Sequence, residues 1–190
     1  MNTRACDTAA PNQLAAWIEQ EQRIQVAQEA GVGCGVARPE QVAGLTGLEV
    51  MQAMLLGAVP YPPIAKTLGF TIVEVDAGRA VFQGTPRFEH YNPLGSVHGG
   101  WFATLLDSAL GCAIHTMMPA GRGYTTAELG VNLVRAITTK VQRVRAEGRV
   151  IHCGRQLATA EARLIGPDGT LYAHGTTTCL VFELGGPAKS

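Results

Sequence analysis

The chain has 190 residues, 46% of them apolar, enough for one domain with a full core and a short appendage. Fifteen Lys and Arg balance fifteen Asp and Glu, so no overall field draws the protein to nucleic acid or to an anionic membrane surface, and any anionic ligand needs a local patch. The five cysteines, Cys6, Cys34, Cys112, Cys153 and Cys179, are scattered and form no CxxC pair, which argues against a disulfide framework and for a reducing compartment.

The opening MNTRACDTAAPNQ lacks the apolar stretch of a signal peptide, so a cytoplasmic location is expected. Residues 1–59 read as a helical extension. A first helix is predicted after Asn12 as N-cap, with Leu14, Trp17, Ile18, Ile24 and Ala27 at near-helical spacing before Gly31. A second starts at the capping box Thr46-Gly47-Leu48-Glu49, runs to Leu56 and ends at Gly57 and Pro60. Between them, Gly31–Gly35 follows a helix and has neither GxGxxG spacing nor a P-loop lysine, so it reads as a linker. Pro60-Tyr61-Pro62-Pro63 marks entry to the main domain, residues 60–184, and residues 185–190 read as a flexible tail.

Phe70–Val75 and Arg79–Gly84 form a hairpin signal around Asp76-Ala77-Gly78. Trp101–Met118 is a long apolar stretch, but Asp107, Ser108 and His115 interrupt it and it lies mid-chain, so it reads as a helix wrapped by protein and not as a membrane span. Four strands are expected after it: Thr125–Val134, Thr139–Cys153, Leu157–Ile165 and Leu171–Phe182, the last two parted by Pro167-Asp168-Gly169. Ala158, Ala160, Ala162 and Leu164 alternate with Thr159, Glu161 and Arg163, which gives a sheet one covered face with room for a bulky filler. The layout is α+β, a six-stranded antiparallel sheet wrapped around one long central helix, with an N-terminal helical extension.

Asp107 is the one acid in that apolar helix. An unpaired buried charge costs several kcal/mol, so the group must be protonated, hydrogen-bonded or facing a cleft. Ahead of it, Gly99 and Gly100 open the helix, where free N–H groups and the positive dipole end point outward; a glycine pair serving only as a tight helix entry is the plainer alternative. Asn92-Pro93-Leu94-Gly95, His98-Gly99-Gly100, Asp107 nine positions beyond His98, and Thr125-Thr126-Ala127-Glu128-Leu129 together resemble the PaaI-type acyl-CoA thioesterases of the hotdog-fold superfamily. The resemblance spans about residues 60–183 and leaves the helical extension outside.

The resemblance implies a hotdog fold and hydrolysis of an acyl-CoA, aromatic or medium-chain, to free acid and CoA. It casts the Gly99 amide as oxyanion donor and Asp107 as general base or nucleophile. Asn92 and His98 would orient the carbonyl and the loop, and Thr126 would place a hydroxyl near the attacking water. Gly100 and Trp101 would border the substrate, and Gly154-Arg155 matches a nucleotide-contacting turn. No cofactor is implied beyond the CoA of the substrate itself. The plainer readings are a helix-entry His98 bonded to its own loop and an ordinary strand threonine at Thr126. Lys140, Arg143, Arg145 and Arg149 could meet CoA phosphates or simply form a solvated strand face.

Thioester hydrolysis needs donors where charge develops on the carbonyl oxygen and a base or nucleophile at the carbon. Eight helical positions separate Gly99 from Asp107, or about 12 Å, so one chain cannot bring both to one carbonyl. Cooperation requires a partner helix running antiparallel across a two-fold axis, and hence a homodimer or tetramer with shared sites. The five histidines show no metal-ligand spacing, and no GxSxG is present. Two other functions are compatible with the scaffold: a hydroxyacyl dehydratase, which would need a histidine near Asp107, and a non-catalytic acyl-CoA binding module, which gains nothing from a buried acid. The N-terminal helices are expected to lid the pocket or to pack the dimer.

Overall fold

The computed structural model describes residues 9–184; Cys6, most of the opening segment and the 185–190 tail lie outside the described residues. Helix α1 (Ala9–Ala30) starts one turn upstream of the expected cap, so Asn12 is a helical residue. Alanines favour helix and proline is tolerated in a first turn, which lets Ala9-Ala10-Pro11 extend the element. A one-turn helix, α2 (Pro39–Val42), follows. Helix α3 (Gly47–Leu55) opens on the expected capping box: Thr46 Oγ1 accepts from the Glu49 N–H at 3.3 Å, and the Glu49 carboxylate accepts from the Thr46 N–H at 2.7 Å. Helix α4 (Pro63–Leu68) leads into the sheet.

The sheet has six strands, all antiparallel to their neighbours: β1 (Phe70–Asp76), β2 (Arg79–Gly84), β3 (Arg122–Leu133), β4 (Val144–Cys153), β5 (Leu157–Ile165) and β6 (Leu171–Glu183), in the order β1-β2-β4-β5-β6-β3. Helix α5 (Gly99–His115) lies in its hollow. Strand β4 begins at Val144, not at Thr139, because the Val141 N–H turns back to the Thr138 carbonyl and Arg143 is drawn out to Glu21.

The core is α5 against the covered sheet face. Leu105, Leu106, Ala109, Leu110, Ala113 and Ile114 are fully buried, as are Ala146, Ala158, Ala160 and Leu164 beneath them. The small strand residues let the helix settle close to the sheet. At Gly148 the approach is backbone to backbone: a Cβ there would stand 2.2 Å from the Ala109 carbonyl oxygen.

The opposite face of the sheet is covered by α1. Gln20 Nε2 donates to the Val73 carbonyl, Gln83 Nε2 donates to the Trp17 carbonyl, and Arg143 pairs with Glu21 at 2.6 Å. Arg145 is buried and donates to Gln83, Glu74 and Gln20 at 2.8 Å each, with its guanidinium 4.4 Å from the centre of the Trp17 ring. Helix α1 is therefore no lid over Asp107; it backs the sheet. Helix α3 meets the far end of α5, where the Gly47 N–H donates to the Met118 carbonyl at 2.9 Å.

Two outcomes follow from this packing. Gly148→Ala forces α5 off the sheet and is expected to lower the unfolding free energy by about 3 kcal/mol, read from the urea midpoint. Burial holds the His115 ring below its ordinary 6.5. As pH falls through 6.5 the unfolded chain takes up this proton first, so stability is full above that value and is lost progressively below it. Urea titrations across the acid limb are expected to show a shallower loss in His115→Gln.

Candidate active site

The loop before α5 is built from its own polar groups. Asn92 Oδ1 accepts from the N–H groups of Leu94 (2.9 Å) and Ser96 (3.3 Å), and its Nδ2 donates to Ser96 Oγ. The Asn92 side chain thus shapes the loop that delivers the helix start. His98 is anchored through its N–H to the His90 carbonyl at 2.7 Å and forms the N-cap of α5. Its Nδ1 accepts from the Gly100 N–H at 2.9 Å, which puts the neutral ring's proton on Nε2. Of the two readings of His98, the loop-bonding one has direct contacts, and the exposed ring keeps Nε2–H free toward solvent.

With the Gly100 amide capped and the Trp101 amide bonded to the His98 carbonyl, the Gly99 N–H is left without a partner among the described residues. Gly100 and Trp101 border a cleft of about 440 Å³ with His90, Tyr91 and Thr104. Trp101 offers it little surface. It is 3% exposed, its indole N–H donates to the Leu68 carbonyl at 2.9 Å, and its ring stacks on His90.

Asp107 lies two turns further along, half-buried, on the face of α5 that meets edge strand β3. Thr126 Oγ1 donates to Asp107 Oδ1 at 3.1 Å, and among the described residues Oδ2 has no partner. One turn beyond, Tyr124 packs against Gly111, where a Cβ would stand 3.0 Å from its ring and hydroxyl. Burial pushes the Cys112 thiol up to about 12, and also raises the Tyr124 hydroxyl and the Cys179 thiol. These neighbours stay protonated at neutral pH, so none competes with Asp107 as a base.

The structure joins Asp107 to Thr126, and His98 to Gly99 and Gly100, but leaves these two groups apart along one helix, as the 1.5 Å rise requires. Gly154 and Arg155 form the β4–β5 turn, closed by the Gly154 N–H on the Leu157 carbonyl at 2.9 Å, with the Arg122 guanidinium donating to the Arg155 carbonyl. That turn sits at the sheet end beside the C-terminus of α5, away from Gly99 of the same chain. Arg155, Arg149 and Lys140 are exposed. Arg143 and Arg145 are not available to a phosphate, because Glu21, Glu74 and the α1 glutamine already hold them.

Sequence reasoning missed Tyr124 and Cys179. Tyr124 lies on β3, whose side-chain directions depend on a bulge between Thr126 and Glu128, and Cys179 reaches the site only through its pairing with Thr126 from β6; a strand pattern reveals neither the bulge nor the pairing. The free edge of β3 is exposed from Thr125 to Leu129, and Leu133 is 55% and Val134 56% exposed. Among the described residues no three His, Cys, Asp or Glu side chains gather as a metal site, and no helix is long and apolar enough to cross a membrane.

The sequence model of the Thioesterase superfamily matches residues 94–173, from the loop before α5 into β6. A putative thioesterase, a phenylacetic acid degradation-related protein of Ralstonia eutropha, superposes with a TM-score of 0.62 at 29% identity, covering 68% of this chain and 97% of its own. A variant of the phenylacetic acid degradation protein PaaI of Thermus thermophilus gives 0.56 at 27% identity, over 62% and 97%. A Bordetella protein of the thioesterase superfamily gives 0.54 at 34% identity, over 62% and 88%. No curated protein sequence matches significantly. About a third of this chain is unmatched by these structures, and the remainder spans nearly the whole of each relative. Identity of 34% sustained over 88% of a superfamily member, with the same sheet wrapped on the same helix, makes this chain a PaaI-like, hotdog-fold member of the thioesterase superfamily.

Proposed function

We propose that the protein is an acyl-CoA thioesterase acting on an aromatic or medium-chain acyl group, with active sites shared between two chains of a homodimer or tetramer. The observation that carries this reading is the pairing of Thr126 with Asp107 on the same helix whose first amide, that of Gly99, is unpartnered. A carboxylate held by a hydroxyl and a free helix-end donor are the two halves of acyl-transfer chemistry.

Two copies of α5 running antiparallel would set Gly99 of one chain beside Asp107 of the other. The free edge of β3, lined by Leu129 and Leu133, supports association at that strand, since exposed apolar edges seek a partner. The partner's Gly99 N–H would donate a hydrogen bond to the developing oxyanion. With Thr126 holding Oδ1, Asp107 Oδ2 would take a proton from water as the water oxygen attacks the carbonyl carbon. The tetrahedral intermediate collapses by breaking the C–S bond, and the thiolate is protonated to CoA. In the nucleophilic variant Oδ2 attacks the carbon itself, CoA leaves, and water hydrolyses the mixed anhydride. The turn at Gly154-Arg155 is the assigned contact for the CoA nucleotide, and His98 Nε2–H and Asn92 the assigned supports of the carbonyl and its loop. A cytoplasmic setting belongs to the same proposal, on the scattered thiols.

Asp107→Asn and Asp107→Ala are expected to reduce thiol release from acyl-CoA by 10²-fold or more while leaving the circular dichroism spectrum intact; undiminished hydrolysis overturns the reading. Binding of acyl-CoA with no thiol release by the wild type would favour a binding module instead. The shared site is tested by mixing two inactive variants. Gly99→Pro removes the amide hydrogen at a helix position where proline is tolerated and after a His98 already in the extended region (φ −64°, ψ 139°), and its added ring carbons displace only the end of the half-exposed Leu133 side chain. Coexpressed with Asp107→Asn, it forms mixed dimers with one intact site each, so activity is expected to return to about a quarter of wild type. A site within one chain would show no recovery.

A further inference from the structure

Three residues of β3 meet α5: Tyr124 at Gly111, Thr126 at Asp107 and Leu133 at Gly99, where a Cβ would stand 2.9 Å from Leu133 Cδ1. Side chains of a regular strand alternate, so residues 126 and 133, an odd number apart, cannot share a face. The β3–β6 pairing resolves the conflict with one extra residue. Thr126 pairs with Cys179 and Glu128 with Thr178, which leaves Ala127 unpaired. Both ends of the helix face β3 only while this bulge stays in place.

One side chain bonds to it from behind. Thr177 on β6 is 2% exposed, and its hydroxyl donates to the Glu128 carbonyl at 2.7 Å. With its hydrogen committed there, Thr177 Oγ1 faces Cys179 Sγ at 3.8 Å, and the fully buried Sγ stands 4.0 Å behind Thr126 Oγ1 as donor. The Thr126 hydrogen points to Asp107. A continuous row thus runs from the Glu128 carbonyl through Thr177, Cys179 and Thr126 to the carboxylate.

We propose that Thr177 is a positioning residue for Asp107: it clamps the β3 bulge, and with Cys179 it holds the Thr126 hydroxyl on the carboxylate. This rests on the reading of Asp107 and Thr126 as the hydrolytic pair. A strand that slips by one residue turns its side chains to the other face, so loss of the clamp removes Thr126 from Asp107 without touching the Gly99 amide. The consequence falls on the chemical step and spares substrate binding.

The test compares Thr177→Val, which keeps the shape and deletes the hydroxyl, with Thr177→Ser, which restores it, in the full-length protein. Thr177→Val is expected to lower kcat about ten- to a hundredfold with KM nearly unchanged, and Thr177→Ser to recover most of the loss. The double variant Thr126→Ala with Thr177→Val is expected to be no slower than Thr126→Ala alone, since Thr177 acts through Thr126. The Asp107 carboxyl, titrated by 13C NMR without substrate, is expected to shift in Thr177→Val in the same direction as in Thr126→Ala. Multiplicative losses in the double variant, a rise in KM alone, or an unmoved Asp107 titration would overturn the proposal. If wild type releases no thiol from any acyl-CoA, the hydrolytic reading fails and the NMR comparison still decides the clamp. Should Thr177→Val not fold, Cys179→Ala carries the same readouts, with an unchanged Asp107 titration counting against the proposal.

Discussion

The backbone of α5 at Ala109 rests directly on β4 at Gly148, and the rest of the structure is arranged around that approach. A helix lying this low needs alanine and glycine beneath it, and β4 and β5 supply Ala146, Gly148, Ala158, Ala160 and Ala162. The bulky residues belong to the helix, so its apolar side chains fill the hollow and dictate how far the sheet curls. Because most of its circumference is spent on this packing, α5 has one strip left for chemistry, the one facing the edge strand. Asp107 sits on that strip, where a carboxylate can be hydrogen-bonded by Thr126 and still reach solvent.

Much of this was legible in the residues. The alternation of Ala158, Ala160, Ala162 and Leu164 announced a covered face, and the capping box at Thr46 announced the start of α3. The isolated acid at Asp107 and the glycine pair at the helix start marked the candidate site, because a charge in an apolar helix and a free amide at its end each need a physical reason. What was hidden depends on partners distant in sequence. Arg145 reads as one basic residue in an alternating strand, yet Trp17, Gln20 and Glu74 enclose it. The start of β4 was misplaced because Arg143 turns aside to reach Glu21, 122 positions away. The bulge at Ala127 is invisible because one inserted residue leaves composition and local propensity unchanged.

The relation between the two faces of the sheet explains why an extension absent from the matched part of the family can be added without disturbing the site. Strand side chains alternate, so the residues that α1 contacts, among them Gln83 and Arg145, are neighbours in sequence of those that hold α5, such as Phe82 and Ala146. The extension meets a polar outer layer, while the inner layer and the β3 edge keep their own packing. Its bonds are largely hydrogen bonds and ion pairs, as suits a surface that folding has already made.

That polar seam has a kinetic meaning. The bonds tying α1 to the sheet span 43 to 125 positions, whereas β1 and β2 join through a two-residue turn. Closing such long loops costs chain entropy before any contact repays it, and the docking surface itself exists only once β1, β2 and β4 are side by side. Helix α1 is therefore expected to be the last element to settle and the first to lift. Its detachment would open the outer face as a sub-global unit while α5 stays protected, so hydrogen exchange is expected to divide the molecule into a slow inner body and a faster N-terminal strap.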